Sequence, residues 1–126
     1  MSTNEVLKKF EENVMNNVPG VIAFSIVDMK EGLSLISGTK NPKFDPEKAA
    51  MYNLEVVKAK IKAIAALSLK ENIVDILITL NKQIHILTVT EGNSFLIYVA
   101  VDSKDASLGM VRSLLKDYSS EIVENM

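Results

Sequence analysis

Apolar positions recur along the chain with two periods, and each change of period marks a new element. Leu7, Phe10 and Val14 follow helical spacing between Glu5 and Asn17, with Glu11 and Glu12 turned away, until Pro19-Gly20 ends the pattern. This predicts a short amphipathic helix. Residues 21–27 (VIAFSIV) form a nearly continuous apolar run, rich in β-branched residues and too short for a buried helix. They predict a central strand. Residues 33–37 (LSLIS) follow the turn at Gly32 and mix Leu with Ser, which suits a short partner at a sheet edge, so 21–37 reads as a hairpin.

A polar loop over 38–44 leads to Asp45-Pro46-Glu47, an N-cap carboxylate, a proline at the first helical position and an acid in the first turn. The helix that starts there has no Gly or Pro before about Lys70, which predicts a length of roughly 35 to 40 Å. Three strands are predicted next, at 73–80, 84–90 and 95–101, joined by short turns at 81–82 and 91–94. They read as an antiparallel meander. Asp102-Ser103 supplies a cap, after which Leu108, Val111, Leu115, Tyr118 and Ile122 recur at steps of three and four and predict a closing amphipathic helix with a short polar tail. The element order is α, β, β, α, β, β, β, α. With hairpins kept adjacent, the simplest sheet order is 2-1-5-4-3, with helices on both faces.

The middle helix has two apolar faces. At 100° per residue, Ala50, Leu54, Val57, Ile61 and Ile64 make a stripe about 80° wide that suits a seat on the sheet. Tyr52, Val56, Ala59, Ala63 and Ala66 make a second stripe on roughly the opposite side, with Leu67 beside it and Glu55, Lys58 and Lys62 in a narrow strip between. A helix resting on a sheet shows water that side, whereas alanines at this spacing admit another helix closely. The alternative is that alanine serves only as a good helix former there, or that the first or last helix covers it.

The strand at 73–80 adds to this picture. Order 2-1-5-4-3 puts it at an edge, yet it carries Val74, Ile76, Ile78 and Leu80 with Asp75 as its one charge, and an unprotected apolar edge invites pairing. Two copies joined third strand to third strand would bury this edge and bring the preceding helices together. The expectation is a homodimer with a continuous sheet, or a heterodimer with a related subunit. The expected interface comprises Tyr52, Val56, Ala59, Ala63, Ala66 and Leu67 on the helix, with Ile73, Asp75 and Leu77 at the edge.

Composition narrows the function further. The chain has 126 residues, 48% hydrophobic, with 14 Lys+Arg against 16 Asp+Glu, one His and no Cys. That length predicts one domain over 1–126. A net charge of −2 without a basic run gives no footprint for nucleic acid. The absence of Cys excludes disulfides, thiolate metal sites and a Cys nucleophile. A polar N-terminus without a signal-peptide core, and no apolar stretch near the ~18 residues of a membrane span, predict a cytoplasmic protein with no direct membrane insertion. His85, the sole histidine, sits mid-strand between Ile84 and Ile86 and reads as structural. No metal-ligand spacing and no true phosphate loop is present, since the stretch from Gly32 through Gly38 to Lys40 passes through a strand and misses the required spacing. No cofactor and no enzymatic activity of its own are expected.

Three segments then point to a family. They are Val18-Pro19-Gly20-Val21 leading into Ile26-Val27-Asp28 and Gly32-Leu33, the Ala-rich middle helix, and Val101-Asp102 through Ala106-Ser107-Leu108-Gly109-Met110-Val111-Arg112. In order and spacing the chain resembles the roadblock/dynein light chain (roadblock/LC7-like) family over about 7–118, with a longer first turn as a departure. The resemblance implies a roadblock/profilin-like α/β (α+β) sandwich, with a mainly antiparallel five-stranded sheet, one long helix on one face and two on the other. It also implies a non-catalytic module, paired with itself or a related roadblock subunit, that binds and regulates or scaffolds a Ras-like small GTPase. Some bacterial members of that family accelerate GTP hydrolysis by their partner, but Arg112, the only arginine, does not identify itself as an arginine finger. Gly109, near the start of the last helix, suggests close approach of that helix to the sheet. Other readings are a motor-complex adaptor light chain and a small-molecule-sensing profilin/PAS-like domain, although the inward strand faces read as filled.

Overall fold

The computed structural model describes residues 2–126. Among these, three helices and five strands follow in the expected order: α1 (Thr3–Asn17), β1 (Val21–Asp28), β2 (Leu33–Thr39), α2 (Pro46–Ala66), β3 (Asp75–Thr79), β4 (Gln83–Val89), β5 (Phe95–Asp102) and α3 (Leu108–Asn125), with a 3-10 turn at Glu91–Asn93. The strands form one antiparallel sheet of order β2-β1-β5-β4-β3. This is the predicted sandwich and strand order.

Alternation along the strands sorts the side chains into two cores. Phe24 and Ile26, Ile84 and Ile86, and Ile97 and Val99 point to one face, where α1 and α3 bury Phe10, Val14, Val111, Leu115 and Ile122. Val27, Leu87, Leu96, Tyr98 and Ala100 point to the other, beneath Ala50, Leu54 and Val57 of α2. The middle strand β5 is covered on both faces and is buried from Leu96 to Val101, which explains its unbroken apolar run.

The α1/α3 core contains a chain of aromatic edges. Phe10 meets Phe24 at 5.5 Å and Tyr118 at 5.1 Å between centroids, both nearly perpendicular. Asn13 donates to the Tyr118 hydroxyl at 3.0 Å, and Thr3 donates to the carbonyl of Asn125 at 2.6 Å, so the two helices are also tied by polar contacts.

Several boundaries differ from the sequence expectation for identifiable reasons. The middle helix stops at Ala66 instead of near Lys70, giving 21 residues, or about 31 Å. Ser68 adopts φ +55°, and the Ser68 and Leu69 N–H groups donate back to Ala65 and Ile64 at 3.0 and 3.1 Å. That is a Schellman ending with Ser where Gly is usual, so the customary stop signal is missing from the sequence. The third strand starts at Asp75, not at residue 73. Residues 38 and 39 belong to β2 and not to a loop, since Gly38 lies where an added Cβ would come within 2.5 Å of the Phe24 ring. Here glycine marks close approach, not a turn.

Asp102 does not cap the last helix. Its carboxylate accepts from Lys104 N–H at 2.8 Å to close a turn, and the N-cap position falls to Ser107. The predicted polar tail is helical as far as Asn125, because Ile122 is buried against α1. Gly109 makes no close approach, since an added Cβ there would meet nothing within 4 Å. The sheet carries two irregularities: Leu35 is an extra residue in β2 opposite the step from Ile26 to Val27, and Ile22 is an extra residue in β1 against β5.

His85 projects from β4 toward the α2 side and is half-buried. The Tyr98 hydroxyl lies 3.4 Å from Nδ1, Gln83 Oε1 lies 2.9 Å from Nε2, and Phe44 and Tyr98 present edge-on rings. This set suits the neutral ring with its proton on Nε2, donating to Gln83 and accepting from Tyr98. Burial holds the His85 pKa below its ordinary 6.5 and pushes the Tyr98 phenol up, which keeps Tyr98 protonated as the donor.

Three measurements check these points. Gly38→Ala should lower stability by about 1–3 kcal/mol in urea unfolding by crowding Phe24, whereas Gly109→Ala should raise it by up to about 1 kcal/mol. The unfolded chain takes up the His85 proton before the folded one does, so stability is full above about pH 6.5 and declines as pH falls through the folded-state pKa. The urea midpoint should therefore drop less on acidification in His85→Gln than in the parent chain, and equal slopes would remove His85 from this role.

Candidate functional site

The N-terminus of α2 is fixed by local chemistry: Asp45 accepts from the Lys48 N–H at 3.1 Å, and Pro46 occupies the first turn, where its missing N–H costs nothing. This start sets the rotation of the whole helix. Ala50, Leu54 and Val57 are buried, and Ile61 is half-buried against the same core. On the opposite side Tyr52 is 70% exposed, Val56 42% and Leu67 65%, with Ala59 and Ala66 also exposed and Ala63 half-buried. Because α1 and α3 pack on the other face of the sheet, neither covers this stripe. The bordering Glu55–Lys58 pair, at 3.9 Å and well exposed, adds little stability.

The helix sits off-centre, packing on β1 and β2. Over the other half of that face, Ile76, Ile78 and His85 are only half-buried. The outer edge of β3 carries no neighbouring strand among the described residues, and its ladder to β4 runs without a break from Asp75↔Thr88 to Thr79↔Ile84. Leu77 is exposed in β3, and Val74 and Leu80 are exposed at its two ends.

The nine expected interface residues do not share one surface. Tyr52, Val56, Ala59, Ala63 and Ala66 lie along the bare side of α2, with Leu67 at its end. Ile73 packs into the chain's own α2-side core. Asp75 and Leu77 alternate with Ile76 and Ile78 and so belong to the α3 side of the edge. There Arg112 of α3 grips Asp75 with both arms of its fork, Nε to Oδ2 at 2.7 Å and Nη2 to Oδ1 at 3.2 Å. The hydrogen bond and the charge of Asp75 raise the Arg112 pKa still further. Nothing in the sequence announces this pair, whose members are 37 residues apart.

The chemistry elsewhere is sparse. The hydroxyls of Ser25, Ser34 and Ser37 form a closed triangle with sides of 2.9 to 3.1 Å and satisfy one another. Among the described residues no group of three His, Cys, Asp or Glu is placed to hold a metal, and no helix is long and apolar enough to cross a membrane.

No protein-family model matches the chain, and no curated protein matches it. Solved structures do. Myxococcus xanthus MglB is 20% identical and superposes with a TM-score of 0.76, the match covering 97% of this chain and 92% of that one. The gliding protein MglB from Thermus thermophilus is 18% identical with a TM-score of 0.77, covering 97% and 88%. A Roadblock/LC7 domain from Streptomyces avermitilis is 10% identical with a TM-score of 0.76, covering 90% and 91%. Identities at this level speak for architecture, and they agree with the strand order and layering built up above: the chain has a roadblock/LC7-like fold.

Proposed function

We propose that the chain is a non-catalytic interaction module that pairs with a second copy of itself through α2 and the β3 edge, and whose paired helices bind a Ras-like small GTPase as regulator or scaffold in the cytoplasm. One observation carries the reading: a bare apolar stripe on α2 and a strand edge that is unbroken and, among the described residues, unpaired occur in the same chain, joined by the connection 67–74. A twofold axis through the edge joins β3 to its copy and brings each α2 toward the thinly covered half of the face, over Ile76 and Ile78. Ala59, Ala63 and Ala66 let the helices approach closely, while Tyr52 and Val56 remain for each other or for an external partner.

Self-association is also supported by likeness to a solved MglB structure with a tetrameric arrangement, 18% identical with a TM-score of 0.77. The GTPase partner follows from the sequence resemblance around Val18–Val21, Val101-Asp102 and Leu108–Arg112. Arg112 is tied to Asp75 on the face away from α2, so a GTPase docked on the helices receives no arginine from this chain. Regulation would act by positioning the partner's own residues.

Sedimentation velocity at micromolar concentration should give a particle of twice the 13.9 kDa chain mass. Ala59→Glu with Ala63→Glu should weaken pairing by roughly a hundredfold or more, because carboxylates buried without partners cost about 3 kcal/mol. The circular dichroism should stay unchanged, and a parent chain that sediments as a monomer would defeat the pairing. The isolated protein should hydrolyse no GTP. Turnover without a second protein would overturn the non-catalytic reading.

A further inference from the structure

A cavity of about 330 Å³ opens between α3 and the β3–β4 pair, on the side of the sheet away from α2. It owes nothing to the α2 stripe, although Val74 and Asp75 in its wall belong to the edge through which pairing is proposed above. Arg112, Lys116 and Ser119 line its helical wall at steps of four and three, beside the positions that seat α3 on the sheet. Thr88 lines it from the strand side, directly opposite Asp75 in the β3–β4 ladder. Val74, exposed at the start of the edge strand, supplies an apolar margin.

The charges there do not cancel. Asp75 gives both carboxylate oxygens to Arg112, and this pair uses Nε and Nη2 but leaves the Nη1 donors of the guanidinium free. Lys116 is exposed and makes no ion pair among the described residues. The cavity thus carries one uncompensated positive charge with spare donors around it.

Thr88 supplies the second, independent observation. It is only 6% exposed, its hydroxyl makes no hydrogen bond to protein among the described residues, and that hydroxyl is not sealed off from the surface, so it opens on the cavity. Water can reach such a hydroxyl, and a ligand oxyanion that takes the water's place finds a donor already held in a largely buried position. Cations are disfavoured by Lys116 and Arg112, and the lone carboxylate is already occupied.

We propose that this cavity binds a small ligand bearing an oxyanion, a phosphate or a carboxylate, with the anion held by Lys116 and the free arm of Arg112 and hydrogen-bonded by Thr88. The ligand's apolar remainder lies against Val74. Ser113 and Ser119 add hydroxyl donors at the rim.

Titration of the nitrogen-15-labelled 126-residue chain tests this. The probes are sodium phosphate and sodium acetate, with sodium chloride at matched ionic strength as the baseline. The Thr88, Ser113 and Lys116 amides should shift saturably with phosphate or acetate and not with chloride. Tighter saturation by phosphate assigns a phosphoryl ligand, and tighter saturation by acetate a carboxylate. Lys116→Gln, at an exposed position, should weaken binding roughly tenfold, as loss of a charge-assisted contact does. Thr88→Val should weaken it with an unchanged fold. Asp75→Asn, which releases the Arg112 fork, should tighten it. Shifts that rise linearly in all three salts, or that saturate equally well in Lys116→Gln, would overturn the proposal.

Discussion

One helix cannot cover a five-stranded sheet. An α-helix with its side chains is about 10–12 Å across, whereas five strands spaced at about 4.8 Å span roughly 19 Å between the outer two. Two helices, α1 and α3, meet this requirement on one face, and Phe24, Ile26, Ile84, Ile86, Ile97 and Val99 of the three central strands are closed in beneath them. The other face has α2 alone, displaced toward β1 and β2. The half-buried state of Ile76, Ile78 and His85 and the bare outer stripe of α2 follow from that single shortage of cover. A second α2 is the right size and polarity to supply the missing layer.

The parts of this arrangement that were legible in the sequence are those set by local chemistry and period. Asp45-Pro46 fixes where α2 begins, and from that start the spacing of Leu54 and Val57 against Val56 and Ala59 separates a seated face from a bare one before any tertiary contact is known. The strand order followed from keeping hairpins adjacent. What escaped has the opposite character. Ser68 ends α2 through a backbone conformation that its side chain does not advertise. Gly38 resembles a loop residue until Phe24 is found against it, and Gly109 resembles a contact residue until nothing is found there.

The candidate site divides along the same line. The α2 stripe is periodic and therefore visible, but the placement of Asp75 and Leu77 on the far side of the edge depends on the strand starting at residue 75 and on the reach of Arg112 from α3. The cavity beside them is assembled from β3, β4 and α3, and no window of consecutive residues contains it. The two faces of the molecule are accordingly different in kind. The α2 side offers shape and apolar area, and the α3 side offers fixed charge around a small space.

The extra residue at Leu35 gives the two rims of the sheet unequal standing. A bulge bends the strand that carries it and breaks the even spacing of its outward amide and carbonyl groups, so β2 is a poor template for a further strand, whereas β3 keeps a regular rim. Any edge-to-edge joining that consumes β3 is self-limiting, because each added molecule turns its bent rim outward. The same chain that is open to one neighbour is thereby guarded against growing into a fibre.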